Sequence, residues 1–216
     1  MLGLFDSGMG GINTVRYLKQ TGDDSDLIYL IDRQNAPYGI KTEEEILEIT
    51  KNNIKALTAM GAERVLIACC TASTVHGRLP DKERGVSVPI VGEVAKRAKE
   101  LTRTGRVGVI ATDHTVRTHA FAREMPSLSV TELGVSELVG MIDGGLCDLT
   151  ARGTDRERIE NIIRPVLTSG IDTLILGCTH FPAIIRTVGE IAKKYGDISL
   201  VDSAKVGAEI LRGLKT

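Results

Sequence analysis

Two stretches decide the fold: Gly61-Ala-Glu-Arg-Val-Leu-Ile-Ala-Cys69 and Gly170-Ile-Asp-Thr-Leu-Ile-Leu-Gly-Cys178. Each opens on glycine, runs through short apolar and β-branched residues, and reaches cysteine eight positions later. Upstream, Leu2-Gly-Leu-Phe5 resembles Val107-Gly-Val-Ile110, with the glycine 66 residues ahead of the first cysteine and 70 ahead of the second. A chain that repeats strand, glycine, strand and cysteine predicts two similar α/β halves.

The rest of the chain fits that frame. Strands are expected at Leu2–Phe5, Leu27–Asp32, Arg64–Ala68, Val107–Ala111, Thr173–Gly177 and Ser199–Val201. Amphipathic segments alternate with them, the pattern of parallel sheets with helical crossovers. Thr42 and Glu45 form a capping box, Ile46, Ile49, Ile54 and Leu57 share a face, and Gly61 ends the helix. Thr154 and Glu157 predict a second box, followed by Ile159, Ile162, Ile163, Val166 and Leu167, with Gly170 at the end and Pro165 kinking or shortening the helix. The expected architecture is two parallel-sheet α/β domains related by a pseudo-two-fold, with the site in the cleft between them. The first domain takes residues 1–91 and 196–216 and the second 92–195, joined near Val88–Glu93. The strand Ser199–Val201 and the helix Ala204–Leu214 are expected to return to the first half.

Composition bounds the function. Of 216 residues, 42% are apolar and 25% charged, and the net charge is −1. That balance gives no basic face for nucleic acid and no attraction to an anionic membrane. No apolar run nears the roughly 20 residues of a spanning helix, and the start lacks the features of a signal peptide. Four cysteines without an export signal predict reduced thiols and a cytoplasmic protein. With no tryptophan and 3% aromatics, a stacking platform is not expected.

In open α/β sheets ligands bind beyond the carboxyl ends of the strands, where Cys69 and Cys178 both fall. Each is expected to start a helix, whose free amides and dipole favour an anion and would lower a thiol pKa toward neutrality. Two thiols facing one cleft from opposite sides suit inversion at a carbon: one removes a proton and the other delivers one to the opposite face. Asp6, in the glycine-rich turn Asp6-Ser-Gly-Met-Gly-Gly11, is placed to assist Cys69, and His180 to assist Cys178. Ser7, Thr71 and Thr179 offer hydroxyls to a carboxylate. Plainer readings exist. A lone buried cysteine is more often core than catalyst, and Cys70 reads either as a small packing residue or as a substrate contact. Cys147 is incidental; His76, His114 and His119 read as surface or packing residues. Zinc on Cys69, Cys70, Cys178 and His180 lacks the usual ligand spacing, and the Asp6–Gly11 loop lacks the P-loop lysine.

Phe5-Asp-Ser-Gly-Met-Gly-Gly11, Pro37-Tyr-Gly39, Ala68-Cys-Cys-Thr-Ala-Ser73, Gly108-Val-Ile-Ala-Thr112 and Leu176-Gly-Cys-Thr-His-Phe-Pro182 resemble, in order, the motifs of glutamate racemases. The resemblance implies a homodimeric amino-acid racemase that uses no metal and no pyridoxal phosphate and makes D-glutamate for peptidoglycan. It implies Cys69 and Cys178 as the acid–base pair. Asp6, Ser7, Tyr38, Gly39, Cys70, Thr71, Thr179 and His180 would line the substrate, with Thr112 and Thr115 as further candidates. Thr112, Thr115 and the Asp6–Gly11 amides are expected to hold the distal carboxylate. Cys70 stands where the family has asparagine, Gly92-Glu-Val-Ala-Lys96 lacks the family's proline, and the chain is short for the family. Aspartate or another amino acid is the alternative substrate. A non-catalytic amino-acid-binding regulator and a decarboxylase or hydrolase on the same scaffold are the alternative classes.

Overall fold

The structure is a computed structural model that describes residues 1–23 and 26–214. Eight parallel strands form two sheets: β1 (Leu2–Asp6), β2 (Leu27–Ile31), β3 (Arg64–Ile67) and β4 (Ser87–Pro89), then β5 (Arg106–Ala111), β6 (Ser129–Gly134), β7 (Thr173–Gly177) and β8 (Ser199–Asp202). The orders are β2-β1-β3-β4 and β6-β5-β7-β8. These are the same order twice, as the repeat predicts. Helices α1 (Ile12–Gln20), α2 (Glu43–Ala59), α3 (Cys70–Ser73), α4 (Asp81–Val86) and α5 (Ile90–Leu101) belong to or follow the first half. The remainder are α6 (Asp113–Arg117), α7 (Ala120–Glu124), α8 (Ser136–Asp143), α9 (Thr154–Leu167), α10 (Ile185–Ala192) and α11 (Ser203–Gly213). Strands β1, β5 and β7 are buried almost end to end because helices cover both faces of their sheets.

Local chemistry explains the turns. The Thr42 and Glu45 box is present, with Glu45 N–H donating to Thr42 Oγ1 at 3.2 Å and Thr42 N–H to Glu45 Oε2 at 2.8 Å. Gly61 and Gly170 carry the positive φ of +98° and +76° that let α2 and α9 turn into their strands. Two expectations are corrected, the second capping box and the placement of the last strand. The second capping box does not form: Gly153 is the cap and Thr154 is already helical, because Glu157 N–H reaches back to the Gly153 carbonyl. Helix α9 runs through Pro165 to Leu167. The proline lies in the last turn, and buried Ile163, Val166 and Leu167 hold the segment down. Strand β8 pairs with β7, so it completes the second sheet rather than the first. Only α11 returns, packing on α1. The short edge strand β4 and the edge strand β6 were not legible in the sequence.

The strand order sets the site. In each sheet the chain turns away on opposite sides of the first strand, so a crevice opens at the carboxyl ends of β1 and β3, and again at β5 and β7. The two crevices meet. Thr179 Oγ1 donates to Asp6 Oδ1 at 3.2 Å, and Asn13 Nδ2 donates to the Thr179 carbonyl at 3.2 Å. A second seam joins Thr71 Oγ1 to Thr112 Oγ1 at 2.9 Å and to Thr115 Oγ1 at 3.3 Å.

The first seam depends on Gly10. A Cβ there would lie 2.6 Å from the Thr179 carbonyl carbon, a backbone atom that cannot swing aside. A Cβ at Gly85 in α4 would meet nothing within 4 Å. In urea unfolding, Gly10→Ala is expected to cost about 1–3 kcal/mol through overpacking. Gly85→Ala should be neutral or stabilising by up to about 1 kcal/mol. Equal stability of the two variants would mean the seam can open freely.

Candidate active site

A cavity of about 510 Å³ lies between the halves at the meeting of the strand ends. Its lining draws on each central strand end: Ser7 beyond β1, Cys69 beyond β3, Thr112 beyond β5 and Cys178 beyond β7. The sulfurs therefore come from opposite halves. Cys69, 5% exposed, accepts from Ala72 N–H at 3.4 Å and lies 3.2 Å from Ser7 Oγ. Cys178, 7% exposed, lies 3.6 Å from His180 Nδ1. His180 Nε2 in turn reaches Asp143 Oδ1 at 3.2 Å.

Of the residues singled out in the sequence, Ser7, Tyr38, Gly39, Cys69, Cys70, Thr71, Thr112, Cys178, Thr179 and His180 line the cavity. Asp6 and Thr115 do not. Asp6 is wholly buried beneath the floor, accepting from Gly11 N–H at 2.8 Å and from Thr179. Thr115 is buried behind Thr112, whose hydroxyl it bonds at 2.9 Å. Both are hydrogen-bonded to residues that line the cavity, Asp6 to Thr179 and Thr115 to Thr112. Gly8 and Gly11 turn their amides onto Asp6, so those two of the loop amides do not face the cavity. Tyr38 donates its hydroxyl to Asp32 Oδ2 at 2.6 Å, and Asn35 and Asn53 grip the same carboxylate at 2.9 Å. This fixes the Arg33–Gly39 wall. Burial opposes the charge on Asp32, yet these bonds hold its carboxyl below the ordinary range.

Cys70 faces the cavity although only 2% exposed, and it also belongs to the buried core that contains Ala68 and Phe121. His114 is buried at the second seam, 3.4 Å from Thr74 Oγ1; His119 is paired with Glu132 at the surface, and His76 lies 3.3 Å from the Ser87 carbonyl. Cys147 is half-buried in its own turn with Thr150. Among the described residues no group of three or more His, Cys, Asp or Glu is arranged to hold a metal ion.

The thiol environment corrects one expectation. Burial, followed by the charge of Asp6, pushes Cys69 up to about 11. Burial also raises Cys178 and Cys70 above the ordinary thiol range, and Asp6 above the ordinary carboxyl range. Neither cysteine heads a helix long enough to lower its thiol pKa. Cys69 caps only the four residues of α3, too short for a substantial dipole. Cys178 precedes no α-helix directly, but a bend and the single 3-10 turn Phe181–Ile184. Asp143, Arg33 and Asp113, which no sequence motif singles out, also line the cavity. Asp143 ends α8 ahead of a Gly-Gly turn that carries no recognisable signal.

Comparison with known proteins now places the chain. The model for Asp/Glu/Hydantoin racemase matches residues 13–211. The chain belongs to the Asp/Glu/hydantoin racemase family. Its class is that of a racemase, an isomerase. Among family relatives it is similar to the glutamate racemase of Geobacter metallireducens, 33% identical over 98% of this chain and 80% of that one. It is 34% identical to the glutamate racemase of Desulforudis audaxviator over 94% of this chain and 74% of that one. A crystal structure of glutamate racemase from Francisella tularensis in complex with D-glutamate superposes with a TM-score of 0.84 at 26% identity, covering 99% of this chain and 80% of that one. The two four-stranded α/β sheets are those of the family. No helix among the described residues is long and apolar enough to cross a membrane.

The raised thiol pKa has a direct consequence for this racemase. A thiol near 11 is neutral at pH 7 and becomes a thiolate only as pH climbs toward that value. Alkylation of Cys69 by iodoacetamide, followed by peptide mapping of the ligand-free protein, is expected to accelerate with pH beyond 9. A rate that levels off near pH 7 would show a thiolate already formed in the empty cleft.

Proposed function

We propose that this racemase interconverts L- and D-glutamate without a cofactor by proton transfer between two cysteines, Cys69 and Cys178. The observation that carries the reading is a thiol from each half on one cavity, each with its own hydrogen-bonding partner. An α-carbon held between them presents its hydrogen to one sulfur and its opposite face to the other. Both thiols rest neutral because burial disfavours charge. A bound substrate changes this balance, since its α-ammonium brings a positive charge next to whichever sulfur loses its proton.

The two sulfurs are supported differently. A thiolate at Cys69 would receive the hydroxyl of Ser7 and the amides of Ser7 and Ala72. With Nε2–H donated to Asp143, His180 presents the Nδ1 lone pair to the Cys178 thiol and can take its proton. Asp143 holds that tautomer. Asp6 and Thr115 hold the walls, and Tyr38, Gly39, Cys70, Thr71, Thr112 and Thr179 shape the space for substrate. We further infer a cytoplasmic homodimer that supplies D-glutamate for peptidoglycan. Four free cysteines suit a reducing compartment, and sedimentation would read the oligomer.

The deciding experiment is proton NMR of L-glutamate with the reduced protein in deuterated water, with L-aspartate in parallel. Loss of the α-proton with appearance of the D enantiomer supports the reading and ranks the substrates. Cys69→Ser and Cys178→Ser are each expected to lower racemisation by about 10²–10⁴-fold while glutamate still binds. Normal turnover by either variant would remove the two-thiol mechanism.

Asp143→Asn tests the relay. The enantiomers have equal free energy, so kcat/KM must fall by the same factor in both directions, expected to be about tenfold. The α-deuterium isotope effect should then grow for one enantiomer only, the one deprotonated by Cys178. An unchanged kcat/KM would reduce Asp143 to a surface partner of His180.

A further inference from the structure

The distal carboxylate of the proposed substrate needs a donor, and several of the groups expected to supply it are already engaged. Thr112 Oγ1 is bonded to Thr71 and Thr115, and the Gly8 and Gly11 amides are turned onto Asp6. The cavity lining contains a single lysine or arginine among the described residues, Arg33. Resting on the proposed function, we propose that Arg33 is the specificity-determining residue, binding the side-chain carboxylate of an acidic amino acid.

Three observations carry the assignment. First, the Arg33 guanidinium is uncommitted. Its Nη2 rests 2.5 Å from the Met9 thioether sulfur, a weak acceptor, and no carboxylate among the described residues pairs with it. Neighbouring Asp32 makes no ion pair with it; its carboxylate oxygens bond Tyr38, Asn35 and Asn53 instead. Second, those bonds anchor the backbone that carries Arg33, so the side chain projects from a fixed wall. Third, charge is divided across the cavity. Arg33 stands on the first half, while the lining carboxylates Asp113 and Asp143 stand on the second. A second negative group on the substrate is repelled from the Asp113 and Asp143 side and attracted to the Arg33 side. The α-ammonium has the opposite preference. One orientation of a dicarboxylic amino acid satisfies both, and a guanidinium fork matches a carboxylate in geometry as well as charge.

The test is calorimetric titration of L-glutamate and L-glutamine into the wild type, Arg33→Gln and Arg33→Lys, with KM measured alongside. Loss of a charge-assisted contact is expected to weaken glutamate binding about tenfold or more. Glutamine binding should change little, and Arg33→Lys should recover part of the loss. Unchanged glutamate affinity in Arg33→Gln overturns the assignment, as does an equal loss for both ligands. If the wild type binds glutamate but does not racemise it, the proposed reaction falls and the same titrations still judge Arg33. If glutamate does not bind the wild type, both fall.

Discussion

The site depends on a carboxylate that never reaches it. Asp6 is fully buried at the end of β1, where burial alone would make it a liability. It is retained because it grips Thr179 from the other half and folds its own loop through Gly11. Thr179 stands between Cys178 and His180, so this bond fixes how far the second thiol stands from the first. Asn13 and the missing side chain of Gly10 complete the grip. Loosening it would leave both sheets intact and both thiols present, yet at the wrong separation for one α-carbon. Proton transfer is steep in distance, so the seam matters more to the proposed reaction than either sheet does.

Burial and reactivity pull against each other in this cleft. In the proposed reaction the thiols must be dry enough that a carbanion facing them is not quenched by bulk water, and dryness raises their pKa. Each pKa unit corresponds to about 1.4 kcal/mol. A resting thiolate would therefore be costly, and the pair stays neutral until substrate charge enters. The amides and hydroxyl around Cys69, and the imidazole beside Cys178, are in place before that happens. They need not reorganise when a sulfur becomes an anion.

Much of this was legible in the sequence because the chain says it twice. The glycine-to-cysteine repeat located β3 and β7 and placed Cys69 and Cys178 at equivalent strand ends. Ser7, Thr71, Thr112, Thr179 and His180 fell on the cavity because they sit within four residues of a strand end, and Tyr38 because it sits in a short motif turn. What failed has physical causes. Strand β8 was assigned to the wrong half, since a short apolar run does not record its neighbour. Asp6 and Thr115 stand behind the lining, a depth that sequence proximity to a strand end does not record. The thiol shifts were misjudged in sign because the dipole of a four-residue helix is weak and desolvation is strong. Asp143 and Arg33 escaped notice because charged residues in loops are ordinarily solvated, and only the fold shows which loops border the cleft.

The duplicated scaffold does not make a symmetric site, and the proposed chemistry does not require one. Enantiomers of an amino acid have equal free energy, so the two directions must balance overall whatever stands beside each sulfur. That constraint acts on the ratio of kcat/KM values and leaves the separate barriers for deprotonation at Cys69 and at Cys178 free to differ. The fold uses this latitude. Equivalent strand ends supply two thiols in opposed positions, while the loops beyond them diverge, giving Ser7 and backbone amides to one and His180 with Asp143 to the other. The repeat thus conserves geometry, the property that inversion depends on, and leaves each half to solve the stabilisation of its own thiolate with whatever groups its loop can reach.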